Sequence, residues 1–306
     1  MSRRDVVSLG EPLYELNRQP DGNWLSGFGG DTLNVAIAAA RLGCRTAYVT
    51  RLGDDVFAAD LRGLMQREAV DAAAVAEDRD APTGLYFVTH GPAGHVFTYR
   101  RAGSAASRMT PADLDPALIA SARFLHVSGI SQAISDSAAE TVVAAIAMAR
   151  RAGVGVSYDT NFRPRLWTAA KARPVVEAAT AQADILKTSL EDADALFGLT
   201  DPAAIGRHVL GLGARAAVVT LGKGGAAIVT ADGVQRLAGR RVAAVDATGA
   251  GDAFTGALLS RLCRGETLAL SARFANAAAA LSTLGYGAIA PLPRRADVEA
   301  ALAAGD

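Results

Sequence analysis

The sequence predicts an α/β fold: a mostly parallel central sheet with helices on both faces and a small β-sheet lid set against it. Three observations predict this. Short apolar runs alternate with longer Ala-rich runs over 6–68 and again over 123–220, the strand–helix rhythm of a parallel sheet. Two β-rich runs, 84–90 and 95–101, flank Gly91-Pro92-Ala93-Gly94 and form a hairpin that is out of place in such a sheet. Several polar clusters fall where expected strands end, the side on which open α/β sheets bind ligands.

In chain order, 6–10 is a first buried strand. The polar stretch 17–30, with Pro20-Asp21-Gly22 and Gly27-Phe28-Gly29-Gly30, reads as turn-rich. A helix runs over 31–42 and stops at Gly43. A strand follows over 46–52 and a helix from 53–55 to 68. The hairpin joins the 13–25 region to make the lid, about 11–30 and 84–107, inserted in a single domain of 1–306. Strands are then expected at 124–128, 154–159, 184–187 and 216–220, with helices at 135–151, from 171, at 191–197 and at 202–212. A second hairpin, 226–230 with 234–237, turns at Asp232-Gly233. Residues 241–245 are extended, and three helices close the chain at 251–262, 267–284 and 294–303.

Composition narrows the function. The 306 residues carry 31 basic and 31 acidic side chains, so neither nucleic acid nor an anionic membrane is an expected partner. No run of about 18 apolar residues spans a bilayer, and the apolar stretch at the N-terminus is too short for a signal peptide. The two cysteines, Cys44 and Cys263, show no metal or disulfide spacing and fit a reducing cytoplasm.

The densest chemistry lies at Val245-Asp246-Ala247-Thr248-Gly249-Ala250-Gly251-Asp252. Free N–H groups at a helix start bind anions, and Asp252 shares that first turn. Amides of Gly249, Ala250 and Gly251 beside a carboxylate base suit phosphoryl transfer to a hydroxyl; alone, the segment reads equally as a capped turn. Three more clusters end strands: Asn161 and Arg163, 187–192, and 222–225. There is no Walker-type phosphate loop, and Phe254 occupies the third glycine position of a dinucleotide fingerprint. Gly30, Asp31 and Asn34 open a helix where hydroxyls could bind. Tyr99 and Arg101 share one face of a lid strand, and guanidinium is the preferred partner of a carboxylate. His90, His95, His126 and His208 show no ligand spacing.

Asp246 to Phe254 resembles the C-terminal signature of ribokinase-type (PfkB) carbohydrate kinases, and Gly29-Gly30 with Asn34 resembles their N-terminal sugar signature. The resemblance spans nearly the whole chain and implies a ribokinase-like fold. Within the family, 29–34, 98–107, 159–167 and 189–193 are similar to 2-keto-3-deoxygluconate kinases. The resemblance implies a sugar acid held by Gly30, Asp31, Asn34, Tyr86, Tyr99, Arg101 and Arg163, with Asp252 as base. It implies ATP over Asn161, Lys187, Ser189, Thr220, Gly222, Gly225 and the 249–251 loop, with Asn276 beside the adenine. The family's Asn-x-x-Glu motif appears as Ser189-Leu190-Glu191-Asp192, leaving Glu191 and Asp192 as alternatives for positioning Mg²⁺. Arg100 stands where relatives often have a second Tyr. Asp246 starts a loop at which some relatives bind a monovalent cation such as K⁺. The expected activity is ATP-dependent phosphorylation of the primary hydroxyl of 2-keto-3-deoxygluconate. The alternatives are a kinase of a neutral sugar or nucleoside, and a non-catalytic sensor. Exposed lid edges predict a homo-oligomer formed through lid strands.

Overall fold

A strand covered on both faces reads as an unbroken apolar run, and Val6, Val7 and Leu9 are fully buried. The computed structural model describes residues 3–91 and 94–305; Pro92 and Ala93, the expected tip of the lid hairpin, lie outside the described residues. The strands are β1 Val6–Leu9, β2 Leu13–Arg18, β3 Trp24–Gly29, β4 Thr46–Gly53, β5 Val70–Asp71, β6 Val75–Asp78, β7 Leu85–Gly91, β8 Gly94–Arg100, β9 Phe124–Ser128, β10 Gly155–Asp159, β11 Ile185–Ser189, β12 Ala216–Thr220, β13 Gly225–Thr230 and β14 Gly233–Ala238. The helices are α1 Asp31–Arg41, α2 Val56–Arg67, α3 Pro116–Ala120, α4 Gly129–Ala133, α5 Asp136–Arg151, α6 Ala169–Thr180, α7 Leu190–Phe197, α8 Pro202–Leu212, α9 Ala250–Leu262, α10 Leu268–Ser282 and α11 Arg295–Ala303.

The large sheet has the order β14-β13-β12-β11-β10-β9-β1-β4-β5, with β6 also on β4. Its pairings are parallel except β12–β13 and β13–β14. Alternate side chains feed opposite layers. Leu186, Ala217 and Val219 join Val142, Val176 and Ile205 of α5, α6 and α8. Ile185 and Val218 join Phe254, Leu258 and Ala275 of α9 and α10 on the other face. Side-chain caps start most helices where expected, including Asp55, Ser135, Asp201 and Thr267.

The small sheet has the order β3-β2-β7-β8, and Leu13, Tyr86 and Val88 form its own apolar cluster. Here the structure departs from the sequence expectation. Residues 24–29 are a strand rather than turn-rich chain. Gly29 serves close packing, since a Cβ there would meet the Tyr86 hydroxyl at 2.6 Å. Residues 241–245 are not a sheet strand. Val245 and Asp246 instead donate backbone N–H groups to Thr283 O, at 2.7 and 3.1 Å, and so satisfy a carbonyl at the C-terminal end of α10. The short β5, β6, α3 and α4 gave no periodic signal. Among the described residues, no helix is long and apolar enough to cross a membrane.

Candidate active site

One cavity of about 830 Å³ lies between the C-terminal ends of the parallel strands and the small sheet. It is lined among others by Glu11, Asp31, Asn34, Arg163, Lys187 and Asp252. Its floor is the start of α9. Gly249 precedes that helix with φ 75°, a left-handed backbone that glycine adopts without strain. The N–H groups of Gly249, Gly251 and Asp252 have no hydrogen-bond partner among the described residues, whereas Ala250 donates to Ala247 O at 3.1 Å. Of the expected donors Gly249, Ala250 and Gly251, Ala250 is thus not open, and Asp252 N takes its place in the cradle. The 246–248 turn is pinned by Asp246, which accepts from Thr248 N, Thr248 Oγ1 and Gly287 N.

Asp252 projects from the first turn of α9 and is 9% exposed. Asn34, on α1, donates Nδ2–H to Asp252 Oδ2 at 2.8 Å. Burial, and then the neighbouring Asp31 charge, push the Asp252 carboxyl up to about 7, against the opposing pull of Asn34 and Lys187. A carboxylate near neutrality is suited to accept a proton. Lys187, on β11, reaches the same place. Its Nζ pairs with Asp159 Oδ2 at 2.9 Å and would lie 2.8 Å from a Cβ on Gly251. Burial opposes its charge, but Asp159 and then Asp252 outweigh that and hold its pKa above the ordinary value.

The other end of the cavity is built by the small sheet and the loop after β10. Tyr86 and Tyr99 stack at 5.8 Å, and the Tyr86 hydroxyl donates to Glu15 Oε2. Arg101 lies 5.6 Å over the Tyr99 ring and pairs with Glu11. Asn161 adopts φ 34°, which Asn tolerates better than most residues, and donates Nδ2–H to Asp31 Oδ2 at 2.9 Å. Arg163 Nη1 donates to Phe162 O, and Arg165 Nη1 to Phe97 O across to the small sheet. Neither of these two has a carboxylate within ion-pair distance among the described residues.

The cavity thus gathers Gly30, Asp31, Asn34, Tyr86, Tyr99, Arg101, Asn161, Arg163, Lys187, Gly249, Gly251 and Asp252, although these residues span most of the chain. Ser189, Thr220, Gly222, Gly225 and Asn276 do not line it. Ser189 caps α7 by accepting from Asp192 N, and Thr220 donates to Thr188 O at 3.3 Å. Gly222 and Gly225 flank the turn after β12. Asn276 donates to Ala238 O at 2.6 Å. The two acids of the metal alternative separate: Glu191 is exposed, while Asp192 accepts from Thr160 Oγ1 and Phe162 N. Burial pushes the Asp192 carboxyl up. No cluster of three or more metal-ligating side chains exists among the described residues.

The sequence reading missed Glu11, Glu15 and the role of Asp159. Glu11 directly follows Gly10 at the end of the first strand, the same kind of strand-end position that marked the other clusters. His126 is buried, with Nδ1 3.1 Å from Ser157 Oγ. Burial lowers its pKa to about 4, which leaves it a neutral core residue.

The model of the pfkB family carbohydrate kinases matches residues 3–295. The chain belongs to this family. Its ribokinase-like fold is shared with solved pfkB kinases. Fructokinase from Vibrio cholerae O395, solved in fructose-, ADP- and calcium-ion-bound form, superposes with a TM-score of 0.89 at 31% identity, over 99% of this chain and 100% of that one. The 2-dehydro-3-deoxygluconokinase of Thermoproteus tenax is 35% identical over 95% of this chain and 93% of its own length. The probable fructokinase-2 of Arabidopsis thaliana is 37% identical over 94% and 92%. This chain is a sugar kinase of the pfkB family, and both sugar-acid and neutral-sugar kinases are among its relatives.

Proposed function

We propose that this pfkB kinase transfers the γ-phosphate of ATP to the primary hydroxyl of 2-keto-3-deoxygluconate, giving the 6-phosphate. The observation that carries this reading is the cavity's polarity. The same cavity holds a buried base, Asp252, beside an amide cradle, and the guanidinium groups of Arg163 and Arg165, which have no carboxylate partner among the described residues. A sugar acid matches both features, because its carboxylate pairs with guanidinium while its distal hydroxyl meets Asp252. On this reading Asp31, Asn34, Tyr86 and Tyr99 hold the hydroxyl and keto oxygens. Arg101 and Arg163 hold the acid.

Asp252 takes the hydroxyl proton as the oxygen–phosphorus bond forms and the bond to ADP breaks. The open amides of Gly249, Gly251 and Asp252 stabilise charge on the transferred group. Mg²⁺ would be held chiefly by phosphate oxygens and water with few protein carboxylates, which fits one anchored acid, Asp192, and the lack of a three-ligand cluster among the described residues. When bound it neutralises phosphate charge. Lys187 and the strand-end residues Asn161, Ser189, Thr220, Gly222 and Gly225 face ATP, with Asn276 toward its base. A monovalent cation belongs at the Asp246 loop. The small sheet acts as a lid within one ribokinase-like domain and excludes water from the transfer. Its edge strands β3 and β8, with Trp24, Leu25 and Val96 exposed, serve homo-oligomer formation, and the enzyme works in the cytoplasm.

A second reading, a kinase of a neutral sugar such as fructose or ribose, is favoured by one observation: Arg101 is already neutralised by Glu11. A coupled ADP-release assay with Arg163→Ala separates the two. The sugar-acid reading predicts a KM for 2-keto-3-deoxygluconate raised by roughly 10–100-fold, the scale of one lost charged hydrogen bond. Wild-type turnover of fructose alone, unaffected by Arg163→Ala, overturns it.

A further inference from the structure

Arg101 and Arg163 stand together in the cavity, yet they are held very differently. Arg163 is exposed, and among the described residues its side chain hydrogen-bonds only to its neighbour's carbonyl. Arg101 has a side chain only 10% exposed, set against a Glu11 side chain with no exposure at all. Glu11 Oε2 takes both Nε and Nη2 of Arg101, and Oε1 accepts from Ser104. The guanidinium carbon lies 5.6 Å from the Tyr99 ring centroid. Nη1 is then the one nitrogen of Arg101 without a protein partner among the described residues. A planar fork held by one edge keeps a single direction for its remaining donors.

The place of the pair in the chain matters as well. Glu11 lies where the chain leaves β1 of the large sheet for β2 of the small one, and Arg101 lies where it leaves β8. The ion pair therefore joins two of the four crossings between the sheets, at the rim of the cavity that Tyr86 and Tyr99 line. A buried carboxylate of this kind costs desolvation that only its hydrogen-bonded partner offsets, so the contact is a built feature rather than a solvated charge.

We infer that Glu11 is a positioning residue for substrate binding, which orients Arg101 so that its free Nη1 edge meets the sugar. This rests on the kinase reading above for the identity of the substrate, but not for the coupling itself. Glu11 pairs with Arg101 and Ser104 and not with Asp252, so it acts on sugar affinity and not on the chemical step.

The test is a double-mutant cycle of Glu11→Gln and Arg101→Ala in the full-length protein. KM and kcat are read with 2-keto-3-deoxygluconate and with fructose, whichever the wild type phosphorylates. We expect Glu11→Gln to raise the sugar KM about tenfold, one charged hydrogen bond misdirected, with kcat and the ATP KM within about twofold of wild type. In the Arg101→Ala background the same change adds nothing further to KM. Glu11→Asp, which keeps the charge, recovers part of the loss. Circular dichroism melting confirms that each variant is folded at the assay temperature. Additive effects in the cycle, or a fall in kcat at unchanged sugar KM, overturn the inference. If the wild type phosphorylates fructose alone, the sugar-acid reading falls, while the coupling is still decided by the fructose KM.

Discussion

Asp252→Asn lowers kcat by about 10²–10⁴-fold, the usual contribution of a positioned general base, while ATP binding persists. The structural reason is local. Asp252 is the buried carboxylate in the first turn of α9, next to the open amides and to Lys187. Asn keeps the shape and can still face Asn34, but it accepts no proton. The pH dependence follows from the same group. Its pKa is raised by burial and by Asp31 to about 7, and only the deprotonated form is active. kcat/KM of the wild type therefore rises with pH through about 7 and levels off above it, and Asp252→Asn loses that limb. Near-normal turnover by Asp252→Asn, measured by coupled ADP release, would remove the base assignment.

Lys187→Met destabilises the fold by about 3–5 kcal/mol, the scale for breaking one partner of a buried ion pair. Lys187 and Asp159 are both buried and 2.9 Å apart, so removal of the ammonium leaves the Asp159 charge without compensation. Adding Asp159→Asn restores part of the loss, because no buried charge is then left alone. Urea titrations of the wild type and the two variants measure this as shifts in midpoint at constant slope. The catalytic limb moves too. Lys187 lowers the Asp252 pKa, so without it the rising limb lies at higher pH. A stability equal to wild type in Lys187→Met would show that the pair contributes little.

Much of this fold is written as local pattern, and the parts that are not have physical causes. Strands such as β1, β9 and β12 are mostly apolar because both faces are covered, and the helices between them begin at Ser, Thr or Asp caps. β5 and β6 are two and four residues long, too short for any period to show. β3 was hidden because Gly27 and Gly29 look like turn residues, although here they make room for Glu15 and Tyr86. Residues 241–245 have strand-like composition, but their partner is the end of α10, a contact no local pattern announces. At the site, residue types and strand-end positions located Asp252, Asp31, Asn34 and Arg163, and the cavity brings them together. Pairings were not legible. Glu11 with Arg101, Glu15 with Tyr86 and Asp159 with Lys187 each join residues 28 or more positions apart. It is these partners that decide which charges the cavity presents.

Every role assigned to the cavity serves transfer of phosphate to the primary hydroxyl of a sugar acid. The most direct measurement is phosphorus–proton correlation NMR on the product formed from ATP, Mg²⁺ and 2-keto-3-deoxygluconate with the wild-type protein. Transfer to the primary hydroxyl gives a phosphomonoester coupled to the two protons of C6, with equal release of ADP. No phosphorylated sugar acid, alongside ready phosphorylation of fructose under the same conditions, would contradict it.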